Sequence, residues 1–125
     1  MLYEEFVKTT DLSNHDLQFY LDGMNEENGE ISGIFKRARR GDYGAIIKSK
    51  LEDGIWSMKL ILDINPDIKN DLLKEIGDRH WYTTRLLQVL GSSMVEVEEI
   101  NLNKLKKRKL TGTLIGKGDN RENEK

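Results

Sequence analysis

The chain of 125 residues has no cysteine, one proline and two histidines. Without cysteine there is no disulfide framework and no thiolate metal site, and the composition fits a cytoplasmic protein. No apolar run approaches the roughly 20 residues that a bilayer helix needs, so no membrane partner is expected. The start, Met1-Leu2-Tyr3-Glu4-Glu5-Phe6, is acidic and lacks the basic opening and apolar stretch of a signal peptide. Net charge is also small. Twenty Lys and Arg against 22 Asp and Glu leave −2, which gives no overall cationic field to draw in nucleic acid. What remains is a chain with 37% hydrophobic and 34% charged residues, long enough for one domain with a single core.

Alternating strand patterns are missing, and the apolar spacing is helical throughout. The pattern predicts an all-α domain over 1–110 followed by an extended C-terminal tail, 111–125. A short helix is expected at 2–8. Ser13, with Asp16 three residues later, marks a helix start, and the apolar period runs from Leu17 to Arg40, where Gly41-Asp42 breaks it. A further helix is expected at 45–62, then one from about Asp67 to Leu90 behind Pro66, stopping at Gly91. Ser93 and Glu96 form a capping-box pattern that opens the last helix, which continues to about Leu110.

Projected at about 100° per residue, two of these helices carry carboxylates on their apolar faces. In 17–40 the stripe is Tyr20, Met24, Ile31 and Ile34, with Glu27 in its middle and Glu30 one turn on at its border. In 67–90 it is Ile68, Leu72, Leu86 and Val89, with Glu75 at the centre and Asp78 and Tyr82 beside it. Carboxylates leaving water cost several kcal/mol apiece unless compensated, and four together repel. A divalent cation removes both problems, and an oxygen-only donor set favours Mg²⁺, with Mn²⁺ as substitute. Magnesium held by a few carboxylates suggests a phosphate-bearing substrate. Either acidic pair alone is more simply a solvated helix face. Two pairs, each central to an apolar stripe, point to a metal site.

The last helix shows the anomaly with opposite sign. Met94, Val97 and Leu105 define its apolar face, yet Asn101, Lys104 and Arg108 share it. Cations near a helix C-terminus also answer the macrodipole, which suffices for Lys106, Lys107 and Lys109. For Asn101, Lys104 and Arg108 a phosphate-facing role is expected.

These residues resemble the MazG-type nucleotide pyrophosphohydrolases of the all-α NTP pyrophosphatase superfamily. The family's Glu-Glu-x-x-Glu followed by Glu-x-x-Asp is matched by Glu26-Glu27-Asn28-Gly29-Glu30 and Glu75-Ile76-Gly77-Asp78. Leu90-Gly91-Ser92-Ser93, Asn101-Leu102-Asn103-Lys104-Leu105 and Gly116-Lys117-Gly118-Asp119-Asn120-Arg121 continue the likeness downstream. It covers most of the chain from about Gly23. The resemblance implies a MazG-like helical bundle, a homo-oligomer (dimer or tetramer), and Mg²⁺-dependent cleavage of a nucleoside triphosphate to monophosphate and pyrophosphate. It implies Glu27, Glu30, Glu75 and Asp78 as metal ligands. Glu26 would be an auxiliary ligand or water-positioning group, with Glu26 or Glu27 orienting the attacking water. Asn101, Lys104 and Arg108 would contact substrate, and Tyr82 would pack near base or sugar or serve as a core tyrosine. Asp119 and Arg121 would close over the site or belong to a functionless end.

The sequence also departs from the family. The interval from Arg40 to Asp71 is long and carries the extra helix, as a lid or an oligomer contact. Arg79 stands where the family is commonly apolar and projects toward the core stripe, where it would pair with an acidic neighbour or contact another subunit. Trp56 and Trp81 are expected in the core or at a subunit contact, and His80 at the surface or an interface. The rival to an enzyme is a non-catalytic helical oligomer that binds nucleotide or a protein partner. A DNA-binding role would rest on Lys104 to Lys109 alone.

Overall fold

A computed structural model describes residues 1–13, 15–53, 63, 65–116 and 118. Among these residues all regular structure is helical: α1 (Tyr3–Thr10), α2 (Leu17–Arg40), α3 (Ala45–Glu52), α4 (Pro66–Val89) and α5 (Met94–Thr111). None of them is long and apolar enough to cross a membrane.

Local chemistry sets the ends. The carboxylate of Asp16 accepts from the Phe19 backbone N–H at 2.9 Å, so Asp16 and not Ser13 caps α2. Gly41 closes the helix with φ at 100°, a left-handed value that a side chain would strain. Helix α3 ends at Glu52 with Asp53 as its C-cap, and the rest of the helix expected to 62 falls outside the described residues. Residues 54–62, including Trp56, lie outside the described residues. Ser93 caps α5 through the Glu96 N–H at 3.2 Å. The Glu96 carboxylate bonds the Ser92 hydroxyl at 3.0 Å, so only half of the expected box forms as drawn.

The chain divides into two compact units, Met1–Leu86 and Leu87–Lys125. In the first, Ile34 and Ala38 of α2, Ile47 of α3 and Ile68 of α4 form an apolar cluster, flanked by Phe35, Tyr43, Leu51 and Leu72. Burying each of the larger aliphatic side chains contributes about 1.5–3 kcal/mol. Tyr43 donates its hydroxyl to Asp71 at 2.9 Å, fixing α4 to the turn before α3. At the other end Trp81 is half-buried, and its indole N–H reaches Thr10 Oγ1 at 2.7 Å, tying α1 to α4. The cross-links between α2 and α4 run in opposite order along the two helices: Tyr20 with Arg85, Gly23 with Tyr82, Asn28 with Arg79, Ile34 with Ile68. They are therefore antiparallel.

In the second unit, Gly112 ends α5 at φ 70° and the chain turns back. Thr113 is buried, its N–H on Arg108 O at 2.9 Å, and Arg108 Nη2 donates to Gly118 O at 3.1 Å. The start of the expected extended tail thus folds onto the end of its own helix. The expected apolar face of α5 is not buried: Met94 is half-buried, while Val97 and Leu105 are exposed. The reason lies in the sequence, which also puts Val95, Ile100 and Leu102 around the helix, so no single stripe can be covered.

Candidate metal centre

Glu27 stands in the middle of α2, on the side that carries Tyr20 and Ile34, and Glu75 and Asp78 stand one turn apart on α4. One carboxylate oxygen from each of the three lies within 4.8 Å of the others. Glu27 and Glu75 are half-buried and Asp78 is exposed, so the group sits at the rim of the helix pair and not in its interior. Two packing features hold the register. A Cβ on Gly23 would overlap the Tyr82 ring, so only glycine lets that ring lie on the α2 backbone, one turn before Glu27. One residue past Glu27, Asn28 Oδ1 accepts from Arg79 Nε at 2.7 Å.

The electrostatics are those of uncompensated acids. Burial, a hydrogen bond shared with Glu75, and the charges of Asp78, Glu75 and Glu26 push the Glu27 carboxyl up from 4.5 to about 7. The Tyr82 phenol is pushed above its ordinary value by burial and by Glu27, Glu26 and Asp78. Burial and Asp78 do the same to Tyr3, which brings α1 beside the acidic group. Three oxygen donors without nitrogen or sulfur fit Mg²⁺ or Mn²⁺, on which neighbouring ligand oxygens stand about 3–4 Å apart.

Of the other residues singled out in the sequence, Glu30 is exposed and outside the converging group. It lines a shallow groove of about 420 Å³ on α2 with Gly29, Ser32, Gly33, Lys36, Arg37 and Arg40. Glu26 is exposed but close enough to raise Glu27. Tyr82 is half-buried, one turn from Asp78, with its ring 6.1 Å from that of Phe19 and 5.0 Å from that of Trp81. In the second unit Asn101 is exposed and Lys104 half-buried. Arg108 is only 8% exposed and engaged with Gly118, so burial and a backbone carbonyl account for its place on the apolar face. Asp119 and Arg121 lie outside the described residues. His80 is exposed, its ring 5.3 Å from Tyr3. Tyr3 and Asn28 went unnoticed in the sequence. A helix-face projection places residues on one helix and says nothing of what a second helix brings to them.

No family model and no solved structure matches the chain. Over 105 residues it is 33% identical to the Gene 37 protein of Mycobacterium phage L5, covering 84% of this chain and 76% of that protein. On that likeness the chain belongs to the family of the phage L5 Gene 37 protein.

Proposed function

We propose that this protein is a Mg²⁺-dependent nucleoside triphosphate pyrophosphohydrolase of MazG-like type, with Mn²⁺ able to substitute. The observation that carries this reading is the convergence of Glu27, Glu75 and Asp78 from two helices, with one carboxylate oxygen of each within 4.8 Å of the others. These three would hold the cation, while Glu30, exposed one turn beyond Glu27, lies outside the set. The cation, when bound, supplies charge neutralisation for the phosphates. Glu26, exposed beside Glu27, orients a water toward the α-phosphorus and takes its proton. The new P–O bond forms as the bond from the α-phosphorus to the α,β-bridging oxygen breaks. Its electron pair leaves with pyrophosphate, and nucleoside monophosphate remains. Tyr82 supplies an aromatic wall for base or sugar. A homo-oligomer, dimer or tetramer, belongs to the same proposal and is checked by light scattering.

The decisive experiment is a pyrophosphate-release screen over canonical and modified nucleotides with Mg²⁺ or Mn²⁺. Release from at least one, lost in Glu75→Gln and Asp78→Asn, is the expected result. An intact panel alongside tight nucleotide binding would convert the protein into the non-catalytic binder.

A further inference from the structure

Arg79 follows Asp78 on α4 and is half-buried, in the turn that also carries two of the three carboxylates. A guanidinium there would ordinarily pair with one of them. It does not: among the described residues its only polar contact is Nε to Asn28 Oδ1, at 2.7 Å. The groups whose charge acts on Glu27 are all acidic. Asn28 comes from the residue after Glu27, so the bridge runs alongside the acidic group on both helices. The acceptor is a neutral amide. It fixes the plane of the guanidinium through Nε without neutralising its charge, and it leaves the Nη1 and Nη2 fork unused. Such a fork matches two oxygens of a phosphate.

We propose that Arg79, oriented by Asn28, binds a phosphate oxygen of the substrate's β,γ-diphosphate, the part that departs as pyrophosphate. This rests on the nucleotide pyrophosphohydrolase reading. Within it, carboxylates and cation hold the scissile end, and Arg79 holds the charge that builds on the leaving group. Asn28 is a positioning residue.

The test uses the full chain and inorganic pyrophosphate with Mn²⁺ as probe in calorimetry, beside nucleotide turnover. Arg79→Met is expected to weaken pyrophosphate binding about 10- to 100-fold, the size of one charge-assisted hydrogen bond to phosphate. Binding of Mn²⁺ alone should change by less than about twofold, and Arg79→Lys should recover part of the loss. Asn28→Asp, which supplies a carboxylate to the guanidinium, should weaken pyrophosphate binding without lowering thermal stability. Wild-type pyrophosphate affinity and KM in Arg79→Met, with only the melting temperature reduced, would make the bridge a structural brace and overturn the proposal. If wild-type protein cleaves no nucleotide yet binds pyrophosphate through Arg79, the hydrolase reading fails and the phosphate contact stands.

Discussion

Two polar clusters straddle α2 and α4 about two turns apart, and they solve the problem of burying charge in opposite ways. Around Asp11 every charge is answered. Tyr20 Oη donates to Asp11 Oδ2 at 2.5 Å, Arg85 Nε donates to the same oxygen at 2.7 Å, and Arg85 lies 5.6 Å from the Tyr20 ring centre. Burial alone would raise the Asp11 carboxyl. The bonds from Tyr20 and Arg85, with the charges of Arg85 and His15, outweigh it and hold the carboxyl below its ordinary value. Around Glu27 the neighbours are acids, and burial and repulsion act together. The first cluster answers its charges within the chain, as a structural ion pair does. The second gathers charges of one sign, the arrangement that the proposed cation would complete.

The sharpest way to break this contrast is to remove one carboxylate from each cluster. Asp11→Ala removes the carboxylate that accepts from both Tyr20 and Arg85, the latter 17% exposed, and should lower unfolding free energy in urea by about 3 kcal/mol. Because the Asp11 carboxyl is depressed, its contribution is present above the unfolded-state value and vanishes as pH falls through the folded one. Glu75→Gln should act in the other direction on stability, raising the metal-free urea midpoint at pH 8. In the same variant, pyrophosphate release should fall at least about 100-fold, or ~2.7 kcal/mol. A loss of stability like that of Asp11→Ala would show the acids to be structural.

Smaller effects sharpen the picture. Gly23→Ala sets a methyl against the Tyr82 ring and should cost about 2 kcal/mol, with a matching loss of Mn²⁺ affinity as the register shifts. Metal-free protein should lose stability as pH rises from 4.5 through about 7, since the folded Glu27 keeps its proton longer than the unfolded one. The size, allowing for partial exposure, is on the order of 1–2 kcal/mol. Urea midpoints against pH measure it, and Mn²⁺ should cancel the decline. The exposed Arg40–Asp42 pair is the control: Arg40→Ala should leave the urea midpoint unmoved.

Much of the candidate site was visible in the sequence because Glu27 and Glu75 each break an apolar stripe and Asp78 stands beside one. Glu30 shared the spacing but not the placement, being one turn further on and 60° around the helix, where α4 brings no partner to it. Arg79 was marked as out of place, yet its partner Asn28 could not be read. The two are 51 residues apart, and their pairing follows from how the helices align.

The order of residues fixed the helices and most of their ends, because caps such as Asp16, Gly41, Ser93 and Gly112 act through hydrogen bonds or backbone angles within one turn. It also fixed the inward face of α2, whereas on α4 Val89 of the expected stripe is exposed and Thr84, off that stripe, is buried. Which carboxylates meet, and that Arg79 bonds Asn28 and not one of them, follow from how the helices pack. Those outcomes hang on the antiparallel register of α2 and α4, set by contacts such as Tyr82 on Gly23 between residues far apart in the chain. Proton affinity follows from that register, since desolvation and repulsion act through space.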